Sequence, residues 1–153
     1  MTENEAGGRA AVIGGGTMGA GIAQVLLEAG CEVVVVEADA DAGERARTRV
    51  ADGLARRKGV DPEEIEARAG RLRVASGLDA PLDVDLVIEA IPEIPAAKRD
   101  LLAAAEKVTP PGALLASNTS SLSITDLAGA LARPERFLGM HFFNPVPLSA
   151  LVE

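Results

Sequence analysis

"RAAVIGGGTMGAGIA", residues 9–23, decides the fold class of this chain. Arg9 to Gly14 is a brief apolar run ending in glycines, and Met18 to Ala29 has helical character with Gly30 placed to cap it. Between run and helix, Gly14, Gly16 and Gly19 stand as G-x-G-x-x-G. Glycines cluster for many reasons, so the spacing alone says little. A strand before it and a helix after it are the context that dinucleotide binding requires. The first glycine permits a tight turn, the second lets a pyrophosphate approach bare backbone, and the third lets helix and strand pack closely. Amides at the helix N-terminus, with the helix dipole, then hold the diphosphate. Thr17 and Met18, inside the motif, join the three glycines as candidate cofactor contacts.

Working outward, "CEVVVVE" (31–37) is continuous and β-branched, as expected of a parallel strand covered on both faces. It ends in Glu37, 18 residues beyond Gly19, where an acid accepts hydrogen bonds from the adenine ribose hydroxyls. Its charge repels a 2′-phosphate, so NAD is expected over NADP. A solvated Glu37, with Asp39, Arg45 or Arg47 deciding specificity, is the alternative. Asp39 to about Lys58 suits an exposed helix. Asp61-Pro62-Glu63-Glu64 opens another, with Asp61 as cap, Pro62 in the first helical position and Glu64 closing a capping box.

"RLRVAS" (71–76), "VDLVIEAI" (84–91), "ALLASNT" (113–119) and "RFLGMHF" (136–142) read as four more strands. Ala96 to Val108 is a helix stopped by Pro110-Pro111, and Ser123 begins a short one with Asp126 at capping-box spacing. Strands alternating with helices predict an α/β fold: a Rossmann-type, doubly wound, mostly parallel sheet with helices on both faces. Residues 1–8 read as a flexible polar tail, and 9–153 as the dinucleotide-binding domain.

Composition narrows the function. A chain of 153 residues with 48% hydrophobic and 25% charged residues is an ordinary globular domain. A net charge of −8 argues against a general nucleic-acid binder, which needs a basic face. The single cysteine, Cys31, calls for no oxidising compartment. The start, MTENEAGGRA, is not a signal peptide, and no apolar stretch approaches the ~18 residues of a membrane span. The chain reads as soluble and cytoplasmic, with no metal site and no membrane or nucleic-acid partner.

In open α/β sheets, ligands bind outside the carboxyl ends of the strands. The fourth strand delivers Pro92-Glu93 to that edge, the fifth Ser117 to Ser120, and the sixth His141 through Asn144. His141 is the only histidine, set among apolar neighbours where a structural role is the usual one. Its place at the cofactor edge argues for chemistry instead.

"GGGTMGAGIA", "DLVIEAIPE", "ASNTSSLSIT" and "GMHFFNPVPL…LVE" resemble the 3-hydroxyacyl-CoA dehydrogenase family, which includes 3-hydroxybutyryl-CoA dehydrogenases. The likeness runs from about Arg9 to the last residue. It implies NAD-dependent interconversion of 3-hydroxyacyl and 3-oxoacyl thioesters. It also implies that His141 transfers the proton with Glu153 as its carboxylate partner, that Ser120 bonds the substrate's 3-oxygen, and that Asn144 positions the reacting groups. Glu93, Lys98, Asn118 and Ser120 match cofactor-binding positions.

Family members carry a C-terminal helical domain that closes the acyl site and supplies most of a dimer interface; it is absent from these residues. Weak or no turnover is therefore expected of this chain alone, and the resemblance implies as partners a helical subunit or the missing C-terminal domain, and a homodimer. The stretch between Glu37 and Asp85 is shorter than in many relatives, which admits an acyl-carrier-protein thioester as substrate in place of acyl-CoA. Arg56-Arg57-Lys58 is either a contact for coenzyme A phosphates or a solvated helix end. A non-catalytic NAD-binding module is the reading from another class.

Overall fold

The computed structural model describes residues 7–153; residues 1–6 of the expected polar tail lie outside the described residues. Gly8 already belongs to the sheet margin, since its carbonyl accepts from the Glu32 amide at 3.1 Å. The elements run β1 (Arg9–Ile13), α1 (Thr17–Glu28), β2 (Glu32–Glu37), α2 (Ala40–Ala55), α3 (Pro62–Gly70) and β3 (Leu72–Ser76). They continue with β4 (Leu86–Glu89), α4 (Pro95–Val108), β5 (Leu114–Ser117), α5 (Ile124–Ala128) and β6 (Phe137–Gly139). The sheet order is β3-β2-β1-β4-β5-β6 and every ladder is parallel, which is the doubly wound dinucleotide-binding arrangement.

Side-chain alternation explains why helices cover both faces. Val12, Val33, Val35 and Ile88 pack with α1 and α2 through Ile22, Leu27, Val50 and Leu54. Ala11, Ile13, Val36, Val87 and Leu115 pack on the other side with Leu102 and Ala105 of α4 and Leu127 of α5. Each such Val, Leu or Ile, fully buried, contributes about 1.5–3 kcal/mol. Chain order reverses between β1 and β4, so the carboxyl ends of these two neighbours form the switch-point crevice.

Asp39 caps α2 by accepting from the Ala42 amide at 2.8 Å, and Ser123 caps α5 from Asp126 at 3.2 Å. The capping box expected at α3 does not form. Asp61 stands at the N-cap without a side-chain hydrogen bond, and Glu64 turns instead to Arg68 one helical turn on. Arg57 is likewise not a free basic contact. It grips Glu28 at the end of α1 with two bonds of 2.8 and 2.6 Å, and this hydrogen bonding holds the Glu28 carboxyl below its ordinary value.

Three strands end earlier than the sequence pattern suggests, for one physical reason. Past Glu89, Ser117 and Gly139 the backbone finds side-chain partners: the Ile91 amide donates to Glu89, Thr119 to Ser117 Oγ, and Phe142 to Asn118 Oδ1. His141 therefore lies beyond β6. Its amide and carbonyl exchange hydrogen bonds of 2.8 and 2.9 Å with Glu153, beside an antiparallel bridge between Phe142 and Val152.

Candidate active site

The glycine turn after β1 is shaped for a bound diphosphate. Gly14 sits at φ +95°, a conformation side chains rarely adopt, and a Cβ there would lie 2.8 Å from the Ala90 carbonyl oxygen. At Gly19 a Cβ would lie 1.6 Å from the Gly14 oxygen, so only hydrogen lets α1 close on the turn. Gly16 is the opposite case: a Cβ would meet nothing within 4 Å. It is the N-cap of α1, gives no side-chain cap, and no acid stands in the first turn. Free first-turn amides facing open space are what an anion needs.

Glu37 and Arg49 clamp this turn from β2 and α2. Glu37 Oε1 accepts from the Gly15 amide at 2.6 Å, and Arg49 donates to the Gly15 carbonyl at 3.0 Å. One Glu37 oxygen is thus occupied by the protein. Among the described residues the other oxygen has no hydrogen-bond partner.

Beside the turn, a cleft of about 380 Å³ collects Met18 from α1, Glu93 and Lys98 from the β4–α4 junction, Asn118 and Ser120 after β5, and His141 and Asn144 after β6. Chemically varied groups from four chain segments converge here. His141 Nδ1 lies 3.2 Å from Glu153 Oε2, and the Phe143 ring covers the imidazole at a centroid distance of 4.4 Å. Both Phe142 and Phe143 line the cleft, and Phe142 is also buried in the core. Thr17 faces a second hollow.

The cleft wall is backed by a charge cluster in which Glu93 and Lys98 were expected and Glu89, read as ordinary strand, was not. Glu89, in the apolar run of β4, is 0% exposed and accepts from Lys98 Nζ at 2.6 Å, the Ser117 hydroxyl at 2.5 Å and the Ile91 amide at 2.7 Å. Lys98, 1% exposed, also reaches the Ile91 carbonyl and Glu93, both at 3.1 Å. Partial burial pushes the Glu93 carboxyl up, but the Thr119 hydroxyl, the Lys98 ammonium and the Ser120 amide outweigh it and hold the group below its ordinary value. A lone acid inside "LVIEAI" was the available signal, because a carboxylate covered on both faces requires a cation nearby.

The second hollow, about 410 Å³, runs between α1, α2 and residues 144–148. Ala20, Gly21, Val146 and Pro147 form an apolar floor, with Arg49, Arg56 and Arg57 at its side. Asn144 lines both hollows and so marks where they meet. Among the described residues, no three His, Cys, Asp or Glu side chains group to hold a metal ion, and no helix is long and apolar enough to cross a membrane.

A parallel doubly wound sheet with an open-faced glycine turn at its switch point defines a dinucleotide-binding domain of the dehydrogenase type. Comparison gives the family. The family model described as "3-hydroxyacyl-CoA dehydrogenase, NAD binding domain" matches residues 9–153, and the chain belongs to that family. It is 42% identical over 145 residues to a probable 3-hydroxybutyryl-CoA dehydrogenase of Bacillus subtilis, covering 93% of this chain and 50% of that protein. Against the 3-hydroxybutyryl-CoA dehydrogenase of Bradyrhizobium diazoefficiens it is 46% identical over 145 residues, with the same coverage of 93% and 50%. The crystal structure of M. tuberculosis FadB2 superposes with a TM-score of 0.91 at 41% identity, over 97% of this chain and 53% of that one. The chain thus spans about half the length of the curated relatives it matches.

Proposed function

We propose that this chain is the NAD-binding half of a dehydrogenase that interconverts 3-hydroxyacyl and 3-oxoacyl thioesters. One observation carries the reading: Glu93, Lys98, Ser120, His141 and Asn144 line one cleft beside the glycine turn. NAD, when bound, supplies the acceptor for the hydride that leaves carbon 3. The hydroxyl proton must leave as well, and an imidazole with one ring nitrogen free to accept suits that step. With Nδ1 turned to Glu153, His141 keeps Nε2 as the nitrogen that takes the proton. Glu153 fixes that tautomer and stabilises the imidazolium. The exposed Ser120 hydroxyl donates to the substrate oxygen as negative charge develops there. Asn144, at the junction of the two hollows, orients the thioester. Asn118 holds the Phe142 amide and with it the segment bearing His141.

The groove leading to Asn144 suits a pantetheine arm, with Arg49 and Arg56 as partners for coenzyme A phosphates. A second reading, an acyl-carrier-protein thioester, draws support from Arg57, whose charge is already used by Glu28. The single cysteine favours a cytoplasmic setting. Turnover by this chain alone is expected to be weak or nil, since a helical half closes the acyl site in the family. The test is NADH oxidation driven by acetoacetyl-CoA, with and without a relative's helical half supplied. Turnover appearing with that half supports the reading, and a preference for the acetoacetyl carrier protein supports the second. Absence of turnover on either thioester, despite NAD binding, favours a non-catalytic module.

A further inference from the structure

Glu93 and Lys98 line the wall of the cleft, and behind them lies a second carboxylate that never reaches it. Glu89 has no exposed surface and lies behind Lys98. Burying an ion pair costs several kcal/mol per ion, and well-packed apolar residues of the same volume are often at least as stable. Stability alone therefore gives no reason for a carboxylate at this position of an apolar strand.

What Glu89 does provide is placement. Lys98 has three N–H donors and meets three acceptors: Glu89 Oε1, the Ile91 carbonyl and Glu93 Oε2. With all three donors taken the ammonium is fixed in place, and, being 1% exposed, it acts on the cleft through its charge and through the Glu93 carboxylate it holds there. Glu89 also takes the Ser117 hydroxyl from β5 and the Ile91 amide from the loop that carries Glu93. One buried group thereby ties β4, β5 and α4 together where the cofactor site needs its geometry held.

We propose that Glu89 is a positioning residue for NAD, acting through Lys98, whose ammonium it fixes behind the cleft wall so that Lys98 in turn holds Glu93 in place at the cleft. This rests on the reading of the cleft as the cofactor site. The test is a double-substitution cycle read by calorimetric titration of NAD into the whole chain. Glu89→Gln keeps the shape and removes the charge; Lys98→Met removes the group it acts through. The expected result is about a tenfold loss of NAD affinity for each single variant, equivalent to about 1.4 kcal/mol. The double variant is expected to bind no more weakly than Lys98→Met alone. Affinity of Glu89→Gln within twofold of the unsubstituted chain overturns the proposal. So does an equal loss from Glu89→Gln in both backgrounds, which is what a merely structural role produces.

Lys98→Met leaves the Glu89 carboxylate buried and unpaired. Should either single variant not fold, the double variant, which leaves no unpaired buried charge, is the background, and Ser117→Ala, which removes only a hydroxyl behind Glu89, is the single. About a threefold loss from Ser117→Ala that vanishes in the double variant supports the proposal, and no loss, or a loss that persists there, overturns it. Failure of the unsubstituted chain to bind NAD overturns the cofactor reading and this inference with it.

Discussion

Gly19→Ala is expected to cost both folding and cofactor, whereas Gly16→Ala costs cofactor alone. A Cβ at Gly19 would stand 1.6 Å from the Gly14 oxygen and 2.8 Å from its carbonyl carbon. Both are backbone atoms of the turn, so α1 must move away or the turn must open. Overpacking of this kind destabilises by about 1–3 kcal/mol. At roughly 2–4 °C per kcal/mol, the midpoint of thermal unfolding falls by about 2–12 °C. NAD binding is lost because the displaced helix no longer aims its amides at the turn. A Cβ at Gly16 meets no protein atom within 4 Å, and its φ of −67° suits any residue. That variant is expected to melt with the parent and to lose at least about tenfold in NAD affinity, since the methyl fills the space a diphosphate enters. Equal melting of the two variants, or NAD affinity of Gly16→Ala within twofold of the parent, contradicts the assignment of the open face to a ligand.

On the proposed function, His141→Gln is expected to reduce turnover, measured with a relative's helical half supplied, by about 10²–10⁴-fold, the usual contribution of a positioned acid–base group. NAD affinity should stay within twofold of the parent. The reason for the split lies in which atoms do which task. The bonds that hold this segment are main-chain bonds between His141 and Glu153, together with Asn118 to the Phe142 amide, and glutamine leaves all of them in place. Only the imidazole's proton transfer is removed. Turnover above a tenth of the parent's, measured at saturating NADH and acetoacetyl-CoA, would remove His141 from the chemistry and leave Ser120 as the principal polar group at the substrate oxygen.

The parts of the fold legible in the sequence are those written in local spacing. The glycine turn, the valine run of β2 and the helix starts at Asp39 and Ser123 depend on neighbours a few residues away, and the structure shows each in place. The cleft was legible one step further, because the carboxyl edge of a parallel sheet selects the segments after β4, β5 and β6 without any knowledge of side chains. What stayed hidden depends on partners far along the chain. Nothing near Arg57 in sequence says that it meets Glu28, 29 residues earlier. Glu64 had a capping role and an ion pair available, and the pair with Arg68 prevailed. Glu89 was masked by its own setting: surrounded by apolar residues it scores as strand, and its need for a cation shows only when Lys98 arrives from α4. The strand ends were overestimated for the same reason, since Asn118 and Ser117 capture amides that periodicity assigns to the ladder.

Thermal unfolding of the unsubstituted chain with NAD and with NADP tests the central claim, that the turn and its Glu37 clamp form a site for NAD. At about 100 times its Kd, NAD stabilises by about 2.7 kcal/mol. At roughly 2–4 °C per kcal/mol, that raises the midpoint by about 5–10 °C. NADP at the same concentration is expected to give little or no shift, because its 2′-phosphate meets the Glu37 carboxylate. No shift with millimolar NAD, or an equal shift with NADP, contradicts the account.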